Sequence, residues 1–188
     1  MARERLLQEE SAWEGILGED GTTLIALESA TATLDLYPEA DFAAGSWTLA
    51  PLYQRVDDGL TYNDTDYIYT TTSFDTISFV MSNPGAGAAS TGNITLTVRA
   101  TSTVNAEILS ISITESGTAR GSADHALTTS MANYTCTANI SLFTDVNNLR
   151  VEMYPNTITG SVAVAWVSVT LPAASVGGVK MLTLLGVG

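Results

Sequence analysis

The sequence is short of the residue types that most catalytic and metal sites need. Its 188 residues include one cysteine, Cys136, one histidine, His125, and one lysine, Lys180. A single cysteine excludes an intramolecular disulfide. Cys136 stands in Tyr134-Thr135-Cys136-Thr137-Ala138, which reads as strand, so a small buried apolar group is expected there. One histidine and one cysteine cannot supply the donors of a zinc site. A Ser–His–Asp triad would have to be built on His125, and no nucleophile-elbow sequence accompanies it. His125 is therefore expected in a polar loop, Gly121-Ser122-Ala123-Asp124-His125. The glycines between Pro84 and Gly92 are followed by no lysine and no strand–loop–helix context, which excludes a phosphate loop. No pair among the acids is singled out for glycoside hydrolysis. The expectation is a protein without a catalytic centre.

Positive charge is equally scarce, with seven basic residues against twenty acids and a formal charge of −13. Such a surface has no basic patch to displace counterions from nucleic acid, and it avoids anionic membranes. It favours solubility in a salty medium or a partner with a basic surface. No apolar run reaches the length of a membrane span. Met1 to Gly15 is charged and lacks the apolar core of a signal peptide, so synthesis in the cytoplasm without a leader is expected.

What is present is apolar residues at 45% of the chain, enough for a core, with Thr, Ser, Ala and Asn in place of most charges. Three regions are expected. Residues 1–21 read as an arm with a short helix, because Leu6, Leu7, Trp13, Ile16 and Leu17 recur at roughly helical spacing. A helix this short needs a surface to dock on. Residues 22–174 change to a period of two. Ile94, Leu96 and Val98 alternate with Thr95, Thr97 and Arg99; Leu109, Ile111 and Ile113 alternate with Ser110, Ser112 and Thr114. Leu149, Val151 and Met153, and a run from Phe74 to Met81, follow the same rule. Each pattern is that of a half-buried antiparallel strand. Val162 to Leu171 is apolar on both faces and is expected to be central or covered. Turns are expected at Asp57-Asp58-Gly59, Asn83 to Gly87, Ser116-Gly117, Asp145 to Asn148 and Pro155-Asn156. About eight short strands without intervening helices predict an all-β antiparallel sandwich of jelly-roll type. Residues 175–188 form an apolar tail in which Val179, Met181, Leu182, Leu184 and Leu185 are candidates, with the arm residues, for an assembly interface.

Two further features concern binding. Asp57, Asp58, Asn63, Asp64 and Asp66 crowd one loop and could offer oxygen ligands to Ca²⁺, although the order is not that of an EF-hand. Asx turns satisfying the loop backbone are the simpler expectation. Tyr37, Trp47, Tyr53, Tyr62, Tyr67 and Tyr69 concentrate in the first third; burial is favoured over exposure for stacking on sugars. Four Asn-X-Ser/Thr sequons, at Asn63, Asn93, Asn133 and Asn139, are expected to stay unmodified in a chain without a leader.

Leu34 to Pro172 resembles a β-sandwich module of tailed-phage virion proteins. The likeness is carried by Leu36-Tyr37-Pro38 with Gly45-Ser46-Trp47, by Val56-Asp57-Asp58 leading to Asp64-Thr65-Asp66-Tyr67-Ile68, and by the Gly-rich link into Asn93 to Ala100. Asn148-Leu149-Arg150-Val151 leading through Val164-Ala165-Trp166-Val167 to Leu171-Pro172 completes it. The resemblance implies a jelly-roll-like fold similar to carbohydrate-binding modules and no catalytic residues. It implies a structural protein on a phage particle, foremost a capsid decoration (cement) protein. Such a protein would be trimeric, and its partners would be the major capsid protein or neighbouring subunits. The alternative use is a glycan-binding adhesin of a head or tail fibre.

Overall fold

A computed structural model of the chain describes residues 33–59 and 61–174. The expected arm helix and apolar tail, with Leu6, Leu7, Trp13, Ile16, Leu17, Val179, Met181, Leu182, Leu184 and Leu185, lie outside the described residues.

Ten strands are present: β1 (Thr33–Leu36), β2 (Pro38–Ala43), β3 (Ile68–Thr70), β4 (Ile77–Met81), β5 (Asn93–Ser102), β6 (Ile108–Glu115), β7 (Thr118–Ala126), β8 (Ala132–Asn139), β9 (Leu149–Thr157) and β10 (Val162–Pro172). They form two five-stranded antiparallel sheets, one in the order β1-β10-β5-β8 with β3 also on β10, the other β2-β4-β9-β6-β7. The protein is an all-β sandwich. Chain direction changes sheet at Tyr37, where β1 leaves the first sheet and β2 enters the second.

The period-two runs become the strands that face one another across the core. Ile94, Leu96, Val98 and Ala100 of β5 are buried, as are Leu109, Ile111 and Ile113 of β6 and Leu149, Val151 and Met153 of β9. Alternation sends every second side chain inward, and the hydroxyls between them stay on the outer faces. β10 is central in its sheet, as its two-sided apolar character requires. β5 covers one edge, and β1 and β3 share the other. A bulge between Val164 and Trp166 re-phases the strand, so that Val162 and Val164 before it and Val167, Val169 and Leu171 after it are all buried.

Four sequence expectations are corrected. The stretch Gly121 to His125 is not a loop but part of β7, an edge strand paired with β6. Its side chains are small and polar, and that hid the strand period. Pro155-Asn156 is not a turn but lies inside β9; its pairing to β6 shifts between Ile108 and Leu109, a bulge that accommodates the missing proline N–H. The strand expected from Phe74 begins only at Ile77, and Phe74 itself has φ +59 and is 67% exposed. Of the early aromatics Trp47 is buried, but Tyr62 and Tyr67 are exposed.

The two sheets close against each other where β7 meets β8. His125 Nε2 lies 3.0 Å from the Thr135 carbonyl oxygen, and its ring stands 5.4 Å from that of Tyr134. Gly121 permits the approach: a Cβ there would sit 2.6 Å from the Thr137 carbonyl oxygen.

Candidate functional site

The outer face of the first sheet carries an ordered set of polar side chains. Registry aligns Thr170 with Thr95 and Thr137, Ser168 with Thr97 and Thr135, Trp166 with Arg99 and Asn133, and Asn93 with Asn139. All of these are outward positions of β10, β5 and β8, since Ile94, Leu96, Val98, Cys136 and Ala138 between them are buried. Neighbouring strands place the hydroxyls roughly 4.8 Å apart across the sheet, and alternate residues roughly 6.8 Å apart along it. Exposure rises from β10 to β8: Ser168 is buried, Thr95 and Thr97 are half-buried, and Thr135 and Thr137 are exposed.

One end of this floor is walled by aromatic rings. The chain after Val56 folds over β10, where the Val167 N–H donates to the Val56 carbonyl at 3.0 Å and the Trp166 indole N–H donates to the Gly59 carbonyl at 2.8 Å. Gly59 turns with φ +65, a conformation that suits glycine. Trp166 then stands between Tyr37, at 6.5 Å between ring centroids, and Tyr62, at 5.9 Å. Burial, with the Asp35 carboxylate as a smaller cause, raises the Tyr37 phenol above its ordinary pKa. Tyr69, on the same sheet face by alternation, stands 6.4 Å from Tyr67.

Arg99 joins wall to floor. Its Nε and Nη2 donate to the two carboxylate oxygens of Asp64 at 2.5 and 2.6 Å, Nη1 donates to Asn133 Oδ1 at 3.3 Å, and its Cζ lies 4.1 Å from the Tyr62 ring centroid. The hydrogen bonds from Arg99 hold the Asp64 carboxyl below its ordinary range, and the same bonds raise the guanidinium. The fork-to-carboxylate geometry fixes the plane of the guanidinium and so its face toward Tyr62.

Three of the aspartates considered for Ca²⁺ have partners within the protein. Asp64 holds Arg99, Asp66 holds Arg55 Nη1 at 2.9 Å, and Asp58 accepts the Asn63 N–H at 3.0 Å. Asn63 Oδ1 accepts from both the backbone and the hydroxyl of Thr65, an Asx turn. Burial, with repulsion from Asp58 and Asp66 and against the lowering effect of its own backbone N–H, raises the Asp57 carboxyl. Among the described residues no three acidic, His or Cys side chains converge as a metal group would require. Of the loop's acids, Asp64 holds Arg99, whose guanidinium lies over Tyr62. Trp166, Arg99 and the hydroxyl floor were not singled out in the sequence. The signal was there in the Thr and Asn at alternate positions, but only strand register brings three such strands together.

A second depression, of about 320 Å³, is lined by Ala88, Ile140, Phe143, Thr144 and Asp145, among others. Its one carboxylate is occupied as a cap, accepting from Asn147 N–H at 2.9 Å and from the Asn148 side chain at 2.7 Å. It offers no reactive group.

No protein-family model and no curated protein matches the chain. Solved structures with a similar β-sandwich include the C-terminal CBM6 of LamC, a marine laminarinase from Zobellia galactanivorans, at 14% identity and TM-score 0.45 over 74% of this chain and 99% of that one. Another is the CBM35 from Cellvibrio japonicus Abf62, at 18% identity and TM-score 0.45 over 76% of this chain and 95% of that one. A CBM4 structure aligns at 12% identity and TM-score 0.39 over 89% and 99%. None of these three is named as a virion protein. The sandwich reading of the sequence stands on the sheet topology itself.

Proposed function

We propose that the protein is a non-catalytic glycan-binding β-sandwich whose ligand lies on the outer face of the β1-β10-β5-β8 sheet. The observation that carries this reading is the aromatic wall of Tyr37, Trp166 and Tyr62 abutting a floor of Thr, Ser and Asn side chains. Sugars present an apolar ring face and a rim of hydroxyls. The first is matched by aromatic rings, the second by side chains that both donate and accept hydrogen bonds. Arg99 and Asp64, fixed by each other, add planar donors and acceptors that lose little freedom on binding. A reaction is not part of the proposal: among the described residues the face holds no nucleophile–base pair, and His125 lies at the β7–β8 seam.

The test is binding of the full chain to a panel of immobilised polysaccharides, with Trp166→Ala and Tyr62→Ala beside it. Loss of one stacking ring is expected to weaken binding about three- to tenfold, with the circular dichroism spectrum unchanged. Binding that both variants retain in full would place the ligand elsewhere on the sandwich.

The second reading, a phage capsid decoration protein with trimeric assembly, is supported by the sequence resemblance over Leu34 to Pro172. Its docking residues, in the arm and the tail, lie outside the described residues. No feature of the described face favours it over glycan binding.

A further inference from the structure

Charge and register together narrow the ligand class, and the narrowing rests on the glycan reading above. Among the described residues three of the four cationic side chains are paired with a carboxylate, and the fourth, Arg150, belongs to the other sheet. Arg55 pairs with Asp66 at 2.9 Å, Arg99 with Asp64 at 2.5 Å and Arg120 with Glu115 at 2.6 Å, while the Arg150 guanidinium lies 3.5 Å over the Phe42 ring. Among the described residues the only guanidinium on the face, Arg99, has its Nε and Nη2 taken up by Asp64 and its flat side by Tyr62. The face is bordered by carboxylates as well: Asp64 at the aromatic end, and Asp35, which accepts the Thr170 hydroxyl at 2.7 Å. A uronate or sulfate arriving here would meet carboxylates and, among the described residues, no cation that is not already paired with one, within a molecule of formal charge −13. An uncharged sugar faces no such penalty.

The shape of the floor sets the length of the ligand. From Asn93 to Arg99 the outward positions of β5 span six residue steps, about 20 Å of strand, with matched residues of β8 alongside throughout. That is several pyranose rings, and among the described residues hydroxyl or amide side chains continue along it to Asn93 and Asn139, both exposed. A pocket for one terminal sugar would be closed on several sides. We infer that this face binds an uncharged, extended polysaccharide chain, anchored by the aromatic rings and hydrogen-bonded along the hydroxyl ladder, and rejects anionic glycans.

The experiment uses affinity electrophoresis and calorimetry on the full chain. The probes are a soluble β-1,3-glucan, a xylan and a galactomannan as neutral polymers, and polygalacturonate and alginate as anionic ones. Neutral oligosaccharides of two to six units accompany them. At least one neutral polymer should be retained, with affinity unchanged between low and physiological salt, and neither anionic polymer should be. Affinity for the matching oligosaccharide should rise at least tenfold from two units to six. Thr97→Val and Thr135→Val keep strand-forming side chains of nearly the same shape, and each should weaken the six-unit ligand about three- to tenfold while leaving the two-unit ligand unchanged. Tighter binding of polygalacturonate or alginate, or equal affinity for two and six units, would overturn this inference and leave the glycan reading standing. Retention of no polysaccharide at all would remove the glycan reading itself.

Discussion

Gly121 and Glu115 are the single residues on which local geometry depends most. Gly121 has no unusual φ, so its role is space alone. An added Cβ would fall 2.6 Å from the Thr137 carbonyl oxygen and 2.8 Å from the Ala138 Cβ, groups that belong to the facing strand and not to a flexible side-chain end. Gly121→Ala must therefore push β7 away from β8, and it should cost about 1–3 kcal/mol in urea unfolding. Unfolding at the unchanged midpoint would show that the seam is loose. Glu115 is buried at the end of β6, and burial alone would raise its carboxyl. The N–H groups of Asp145 and Thr144, at 2.6 and 2.8 Å, and the Arg120 guanidinium, at 2.6 Å, outweigh that and hold it below its ordinary range. A carboxyl with a depressed folded pKa contributes stability above its unfolded pKa and loses it as pH falls through the folded one. Glu115→Gln should thus cost about 1.5–3 kcal/mol near neutral pH. It should cost progressively less in acid below the ordinary carboxylate range, and a cost independent of pH would deny the carboxylate this role.

At the scale of elements, the hairpins show what a sequence does and does not disclose. Ser116-Gly117 joins β6 to β7 with φ +49 and +81 at the two central residues, the backbone of a type I′ turn, and the pair Glu115 and Thr118 closes it. Asn suits the first of these positions better than Ser, so Ser116→Asn should raise stability by about 0.5 kcal/mol, read as a higher unfolding midpoint. The turn was legible because glycine marks it. β7 was not, because its inward positions hold Gly121, Ala123 and His125, and these give no alternation of apolar and polar. Gly121 is bare because β8 packs across it. Pro155 misled for the opposite reason, since a turn-favouring residue sits at a bulge. β5, β6 and β9 were plain, their branched apolar residues recurring at every second place over the core. The binding face was half legible: Thr95, Thr97 and Arg99 announce a polar outer side, but not that Thr135, Thr137, Ser168 and Thr170 fall beside them. The Asp57–Asp66 loop stands out in the sequence for its acids, and in the fold Asp66 holds Arg55, Asp64 holds Arg99 and Asp58 holds the loop backbone. Calcium at millimolar concentration is accordingly expected to leave the melting temperature unchanged, and a rise of several degrees would reveal a cation site in that loop.

For the whole molecule the dominant electrostatic fact is excess negative charge, not the pattern of ion pairs. Twenty acids oppose seven bases, and the described residues form three salt bridges. Pairs at the surface contribute about 0–1 kcal/mol each, and salt weakens them. Self-repulsion among the remaining carboxylates disfavours the compact state, and salt weakens that too. The two effects have opposite signs, so the response to ionic strength decides which is larger. The Debye length falls from about 30 Å at 0.01 M to about 8 Å at 0.15 M. The first exceeds most distances within one sandwich, so repulsion sums over the whole surface. The second confines it to neighbours. Arg99 with Asp64 and Arg120 with Glu115 are short and partly shielded, and lose least on screening. The melting temperature at neutral pH should therefore rise as sodium chloride goes from 0.01 to 0.15 M, and scanning calorimetry at the two concentrations measures it. A fall would mean that attraction within the loop and the β6–β7 end outweighs the repulsion of the whole, and that the acidic surface is neutralised more completely than its composition implies.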